Sequence, residues 1–430
     1  MIRALAQKKR VLVAMSGGVD SSVAAALLKK QGFFVAGAYM KNFSEESWAG
    51  VVAAECPWRQ DMADAQAVCE KLSIEFRSFN FEKEYADRVI EYFFAEYAAG
   101  RTPNPDIMCN KEIKFGLFLQ KALELGFDYI ATGHYARVRI LNPESGIQES
   151  PSFNSSPLVG EERWGGGDVG YQLLKGVDLK KDQSYFLCEL NQEQLSKTLF
   201  PIGEYTKTQV RELARNFGLP NAEKKDSQGV CFIGHINLRE FLKQRIPERV
   251  GEIVTTTGQV IGQHRGAAYY TIGQREGIGV GGGTPYYVVQ KDIVKNRLVV
   301  APKSLVPEPV VRFTHHLELA ETVEGPPSLY SKSVSVSKVH WIGEQPELPL
   351  RCSAKIRYQQ PDQECEIFPP LLSSPTKGGG IPLKKIPLHR WEGQGEGARV
   401  EFKEPQFAAA PGQIVVFYEG DTVLGSAIIE

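Results

Sequence analysis

The sequence predicts an α/β protein: a doubly wound parallel sheet, then a small linking domain, then a C-terminal β-barrel. Three observations carry that prediction. Between residues 11 and 132, short apolar runs alternate with amphipathic stretches of helix length, the succession of a parallel sheet covered by helices on both faces. The first run, Val11 to Val13, leads straight into Ala14-Met-Ser-Gly-Gly-Val-Asp-Ser-Ser22 and an alanine-rich stretch closed by Gly32, which reads as strand, glycine turn and helix. From about Leu238 the texture changes to β-branched or alternating segments separated by glycines, as in a small barrel or sandwich.

Taken in order, the helix after the first turn is expected over Ser22 to Lys30. A second strand covers Phe34 to Met40, a helix Gln60 to Leu72 and a strand Ile74 to Phe79. Glu82 to Ala99 forms a long amphipathic helix whose aromatics, Tyr85, Tyr92, Phe93, Phe94 and Tyr97, make a core stripe. Two prolines in Gly100-Arg-Thr-Pro-Asn-Pro-Asp-Ile-Met-Cys109 predict an irregular loop before a helix from Lys111 to Leu125. The strand Asp128 to Thr132 runs into Gly133-His134. Helices follow at Asn191 to Leu199 and at Thr206 to Phe217, the latter opened by a Thr206-x-x-Gln209 capping box and closed by Gly218.

Two stretches break the pattern. Leu141 to Gly170 and Phe368 to Gly397 are rich in Ser, Pro and Gly and lack periodicity, so both are expected to be surface insertions, the first mobile. Strands are expected at Tyr286 to Gln290, Arg297 to Ala301, Ser333 to His340, Cys352 to Tyr358, Gln413 to Tyr418 and Val423 to Ile429. Gly277-Ile-Gly-Val-Gly-Gly282 spells a dinucleotide fingerprint but precedes a strand instead of a helix, so it is a turn. Domain boundaries are expected at 1–235, 236–289 and 290–430.

Composition narrows the function. With 42% hydrophobic residues, no apolar run near the roughly 20 residues of a membrane span, and a first strand that leaves no room for a leader, the 430-residue chain is expected to be cytoplasmic, with no membrane partner. Seven scattered cysteines make neither a disulfide framework nor a CxxC pair. The net charge of −1 excludes a bulk polycation, so nucleic acid would need a local basic face. Candidate clusters are Lys8 to Arg10, Lys111 with Lys114, Lys224 with Lys225, Arg239 with Lys243 and Arg245, and Lys355 with Arg357.

The Ala14 to Ser22 stretch suits phosphate chemistry. Gly17 and Gly18 can take positive φ and let backbone N–H groups close on an anion, at the positive end of a helix. Ser16, Ser21 and Ser22 offer hydroxyls, and Asp20 is placed to help hold magnesium. No Walker loop occurs. Two thiols stand in loops of special backbone chemistry: Cys109, expected at a helix start beside Lys111, where dipole and cation favour thiolate, and Cys231, in the Gly-punctuated stretch Lys224 to Gly234. Taken alone, a free cysteine is usually a small buried hydrophobe, and only the context of these two raises the functional reading.

Ser16-Gly-Gly-x-Asp-Ser21 resembles the signature of the ATP pyrophosphatase (adenine nucleotide alpha-hydrolase-like) family, which transfers AMP to a substrate oxygen. Chance would produce such a string with probability on the order of 0.001 or less. Denser blocks, AMSGGVDSSV, GRTPNPDIMCNKEIKF, DYIATGHYARV, KKDQSYFL, KKDSQGVCFIG, YTIGQREGIGVGG, RYQQ and PGQIVVFYEG, resemble the bacterial tRNA-specific 2-thiouridylases over nearly the whole chain apart from the two insertions.

That resemblance implies a sulfurtransferase. ATP, with magnesium, adenylates the C2 oxygen of a wobble uridine, position 34 of a tRNA anticodon loop, and a persulfide on Cys231 supplies sulfur. Cys109 then attacks that persulfide, leaving a Cys109–Cys231 disulfide, and Asp106 serves as acid or base. The same match places Ala14, Met15, Ser16, Gly17, Gly18, Val19, Asp20, Ser21, Met40 and Gly133 at ATP. It places Asn104, Pro105, Asp106, His134, Lys181, Asp182, Gln183, Arg357, Tyr358 and Gln413 at tRNA. A cysteine desulfurase or relay protein is implied as donor. Two competing readings keep parts of this: an AMP-forming ligase or amidating enzyme with another acceptor, and a non-catalytic RNA-binding protein on a degenerate nucleotide fold.

Overall fold

The computed structural model describes residues 8–44, 58–141, 148–149, 170–225, 238–281, 284–303, 329–370 and 397–430. Its strands are β1 Arg10–Ala14, β2 Phe34–Lys41, β3 Glu75–Asn80, β4 Tyr129–Ala131, β5 Ala136–Leu141, β6 Gln148–Glu149, β7 Gly170–Lys175, β8 Thr198–Leu199, β9 Gly251–Thr255, β10 Val260–His264, β11 Tyr286–Asp292, β12 Arg297–Pro302, β13 Tyr330–Trp341, β14 Leu350–Lys355, β15 Gln363–Phe368, β16 Ala398–Phe407, β17 Ile414–Glu419 and β18 Thr422–Ile429.

Five strands form the expected parallel sheet, in the order β3-β2-β1-β4-β8. Alternation along β1 sorts the two cores. Leu12 and Ala14 face a layer holding Tyr85, Phe93, Ile107 and Ile113, from the chain between residues 82 and 124. Val11, Val13 and Met15 face helices α1 (Val19–Lys30) and α2 (Trp58–Lys71) and the helix Lys207–Asn216. The sheet is therefore covered on both sides, as a doubly wound fold requires.

The local caps hold where they were legible. Thr206 and Gln209 close a reciprocal capping box, and Gly218 follows the helix at φ +62°. Several boundaries differ from the sequence expectation, three of them near the site. Helix α1 begins at Val19, not Ser22, with Gly18 as an extended N-cap at φ −85°; only Gly17, at φ +74°, takes the left-handed conformation. The chain turns helical at Pro105, not Lys111, because Asn104 caps it through Oδ1 accepting from the Ile107 N–H at 3.1 Å and proline suits the first helical position. The helix expected over 191–199 stops at Ser196, and Thr198–Leu199 becomes β8 beside β4.

Strands β9 to β12 form a separate four-stranded sheet, in the order β10-β9-β12-β11. The boundary expected between residues 289 and 290 falls inside β11, and this sheet runs on to Pro302. Six antiparallel strands then close on themselves, β13-β16-β15-β14-β17-β18 and back to β13, giving the expected barrel. Strand β16 alternates buried Ala398, Val400 and Phe402 with outward Arg399, Glu401 and Lys403, a period-two pattern hidden at the edge of the second insertion. Strand β7 pairs with β18, so a hairpin from the first 235 residues continues the barrel's sheet. Of the two insertions, residues 142–147, 150–169 and 371–396 lie outside the described residues. No described helix is long and apolar enough to cross a membrane.

Candidate active site

The strand order reverses beside β1: β2 and β3 lie on one side, β4 and β8 on the other. In such sheets the ligand crevice opens at the carboxyl ends of the strands flanking that reversal. Residues Ala14 to Ser21 leave the end of β1 and Gly133 follows β4, so the phosphate-loop candidates and Gly133 meet there. The approach is close. A Cβ on Gly133 would stand 2.6 Å from the Ser21 nitrogen, and one on Gly17 would stand 2.2 Å from the Asp61 carbonyl oxygen. Only glycine lets β4's exit and the first turn of α2 close on the loop.

Within the loop, Ser16 and Ser21 face each other, Oγ to Oγ at 3.2 Å, and the Ser16 N–H donates to Ser21 Oγ. Ser22 is turned inward: its hydroxyl donates to the Gly18 carbonyl at 2.8 Å and accepts from Asn221. It is spent on structure, not on an anion. Gly18 brings no side chain to cap the twelve-residue α1, the arrangement that an anion completes. Asp20 stands in that first turn. Its Oδ1 accepts from the Tyr135 hydroxyl at 2.8 Å, and both of its oxygens accept from Lys207 Nζ at 2.9 Å.

Sequence reasoning missed Tyr135, Lys207 and Asn221, which tie the loop to distant chain. Asn221 Nδ2 donates to the Gly17 carbonyl at 2.9 Å and to Ser22 Oγ at 3.0 Å. Three residues later Lys224 pairs with Asp61 at 2.7 Å and with Asp64. The chain is thus anchored beside the phosphate loop just before Cys231, which lies outside the described residues together with the rest of 226–237. Six residues from Lys225 to Cys231 reach at most about 20 Å.

Cys109 is not in a loop. It is fully buried and opens a π-helical stretch, Cys109–Leu117, that continues the Pro105 helix; such wide turns recur at functional sites. Lys111 is committed to Glu189 at 2.9 Å. Asp106 occupies the helix's first turn and is half-exposed. Two other described thiols are held protonated: burial, then Glu70, pushes Cys69 up to about 12, and burial, then Glu189, pushes Cys188 well up. Cys352 and Cys365 face each other across β14 and β15 at 3.6 Å, and the Cys365 contact, ahead of burial, raises the Cys352 thiol.

The expected RNA contacts gather where the domains meet. Thr102 N–H donates to the Pro411 carbonyl at 2.7 Å, so the segment leading to Asn104 packs on the barrel turn that ends at Gln413. Gln413 itself makes reciprocal bonds with Ala410. Tyr358 lies 4.4 Å from Phe186, ring centre to ring centre, and Arg357 donates to the Ala408 carbonyl at 2.9 Å. This brings the barrel hairpin tip against the turn that begins with Lys181, Asp182 and Gln183. Asp182 is buried and accepts from the Gly176 and Ser184 N–H groups and the Ser184 hydroxyl. Gln183 accepts from the Tyr135 N–H at 3.0 Å. His134 is also buried, its Nδ1 2.8 Å from Thr132 Oγ1, and burial, then the Lys114 charge, keeps it neutral. The side chains of Asp182 and His134 therefore shape the wall more than they present a surface.

Most of the candidate basic clusters are ion-paired or stacked instead of forming an open cationic face. Besides Lys111 and Lys224, Lys9 meets Asp128, Arg239 and Lys243 meet Glu248, Arg245 meets Glu91, and Lys355 meets Asp362. Arg10 lies over Phe34 and Phe127.

Residues 9–235 match the tRNA methyl transferase HUP domain, 239–302 the tRNA methyl transferase PRC-barrel domain, and 331–370 with 388–429 the aminomethyltransferase beta-barrel domain. The chain is 43% identical over 425 residues to the tRNA-specific 2-thiouridylase MnmA of Alkaliphilus oremlandii, covering 98% of this chain and 97% of that one. It belongs to the tRNA-specific 2-thiouridylase family. Further 2-thiouridylases from Streptococcus uberis and Legionella pneumophila strain Paris are each 44% identical over 429 residues, covering 98% of this chain and 95% and 99% of theirs. The three matched domains of this 2-thiouridylase coincide with the parallel sheet, the four-stranded sheet and the closed barrel.

Proposed function

We propose that this chain is a tRNA-uridine 2-sulfurtransferase, which activates the C2 oxygen of the wobble uridine with ATP and replaces it with sulfur. The observation that carries the reading is the meeting of Gly133 with the uncapped N-terminus of α1 at the reversal of strand order, in a chain that matches 2-thiouridylases from end to end. The pyrophosphate end of ATP fits against Ser16 to Ser21, and Met40, at the end of β2, lies beside it.

Transfer of AMP to the C2 oxygen releases pyrophosphate and makes a poor leaving group a good one. The terminal sulfur of a Cys231 persulfide then bonds to C2 as AMP departs. Cys109 thiolate attacks the Cys231 sulfur, the sulfur–sulfur bond breaks with its electron pair left on the transferred atom, and a Cys109–Cys231 disulfide remains for an external thiol to reduce. Asp106 moves a proton at the base. A base in an anticodon loop can be splayed into such a pocket, whereas one in a stem cannot. Asn104, Pro105, His134, Lys181, Asp182, Gln183, Arg357, Tyr358 and Gln413 make or shape the RNA surface. A cysteine desulfurase or relay protein supplies the persulfide sulfur.

Magnesium belongs with the nucleotide. Such an ion is held mainly by phosphate oxygens with one or two carboxylates. Asp20 is the carboxylate of the loop, but Lys207 Nζ holds both of its oxygens at 2.9 Å, so it would face the ion only with that pair opened, and the ion would neutralise phosphate charge.

Mass spectrometry of unmodified tRNA after incubation with enzyme, ATP, magnesium and a persulfide donor tests the proposal. The expected result is a gain equal to exchange of oxygen for sulfur, lost in both Cys109→Ser and Cys231→Ser. Full thiolation by both variants would remove the sulfur relay.

A further inference from the structure

One buried side chain at the mouth of the parallel sheet has no hydrogen-bond partner among the described residues. Asn42, the residue after β2, is 2% exposed, and neither its Oδ1 nor its Nδ2 makes a hydrogen bond. Burying an amide with donor and acceptor both unsatisfied is costly, and native chains rarely carry the cost without a use for the group.

Its position says what the use is. Ala14 pairs with Ala38 and the Met15 N–H donates to the Ala38 carbonyl at 2.8 Å, so the phosphate loop turns away from β1 at the level of Tyr39 and Met40. Asn42 lies just past that level, two residues after Met40. Beside it in the chain, Lys41 Nζ sits 4.4 Å from the ring centre of Trp58 at the start of α2 and pairs with Glu82 at 2.9 Å. The cation next to Asn42 is therefore already compensated, which suits a nucleobase better than a phosphate.

We infer that the Asn42 amide reads the base of the bound nucleotide, taking the amino donor and ring-nitrogen acceptor that adenine presents side by side. An asparagine amide offers the complementary acceptor and donor. At the N6/N7 edge, the one such an amide reads, guanine presents two acceptors, O6 and N7, so the same amide keeps one bond there and loses the other. The inference deepens the proposed function, because it rests on ATP lying across the carboxyl ends of β1 and β2. Asn42 is then a specificity-determining residue for the nucleotide and not a group that touches RNA.

The test is calorimetric binding of ATP, of GTP and of purine riboside triphosphate, which lacks the amino group, to the full chain and to Asn42→Leu, without tRNA or sulfur donor. Loss of one two-point base contact corresponds to about tenfold to a hundredfold. Asn42→Leu is expected to lose that factor for ATP and clearly less for GTP, with tRNA affinity of the nucleotide-free protein unchanged. Wild type is expected to bind the purine analogue more weakly by a similar factor, a measurement that needs no variant to fold. Equal binding of ATP and the analogue by wild type overturns the inference. So does an equal fall in ATP and GTP affinity, or a loss of tRNA affinity with ATP binding intact, which would give the amide to the target uridine. A chain that binds ATP selectively yet thiolates no tRNA would sink the proposed function and leave this inference standing.

Discussion

Lys207 Nζ sits 2.9 Å from each carboxylate oxygen of Asp20, across 187 residues of sequence. The pair joins the first turn of α1 to the first turn of the helix Lys207–Asn216, and the Tyr135 hydroxyl on the same carboxylate adds the exit of β4. Three elements thereby fix the one acidic group of the phosphate loop. Because the Lys207 and Asp20 side chains are 14% and 32% exposed, the pair is worth less than a fully buried one. Lys207→Met should cost about 1–2 kcal/mol of stability and raise the KM for ATP, with Lys207→Arg intermediate. Thermal melting and pyrophosphate release measure both; an unchanged melting point and KM would show the pair to be incidental.

Gly133→Ala should abolish ATP binding while leaving the barrel folded. The added methyl would meet the Ser21 backbone at 2.6 Å, and neither β4's exit nor the helix terminus is a flexible side chain able to yield. Nucleotide titration with near-ultraviolet circular dichroism checks this. Wild-type ATP affinity in the variant would mean that the loop and Gly133 do not share a site.

His134 predicts an acid limb. Burial and, second, the Lys114 charge hold the folded imidazole neutral well below the ordinary value of 6.5, whereas the unfolded chain takes up a proton at about that value. The unfolded state thus binds more protons below pH 6.5, and stability falls as pH drops, by at most about 1.4 kcal/mol per unit. Denaturant titrations of wild type and His134→Gln at pH 7.5, 6.5 and 5.5 should converge as pH falls if the variant starts less stable. Parallel curves would contradict the assignment.

Arg357→Ala combined with Tyr358→Ala should weaken tRNA binding about tenfold or more and leave ATP affinity unchanged, since a stacked aromatic is worth about 1–3 kcal/mol per base. Both residues stand on the barrel hairpin tip, against Ala408 and Phe186. Filter binding of tRNA alongside nucleotide titration separates the two effects. Equal losses of both ligands would mean that the hairpin tip supports the whole site.

Legibility followed the range of the interaction. The strand, the glycine turn and the capping box of Thr206 and Gln209 could be read because each is settled within a few residues. The start of the Pro105 helix was also written locally, in Asn104-Pro105 as N-cap and first position; two prolines were read as breakers when one of them was an opener. The basic clusters misled for a different reason. Lys224 looks exposed beside Lys225 in the sequence, and only folding brings Asp61 and Asp64 to it.

Sequence alone settled the fold class, the family resemblance and the chemistry on offer at Ser16 to Ser21, Cys109 and Cys231, because periodicity, caps and residue type are properties of short stretches. Tertiary structure decided which of those groups are available. Ser22 is taken by Asn221, Cys109 is sealed inside a wide helical turn, Asp20 is held by Lys207, and among the described residues Asn42 is left without a partner. Partners such as Asn221 and Gly17 stand 204 residues apart. Whether a polar group is satisfied depends on what the fold brings within about 3 Å of it, and no local pattern carries that distance.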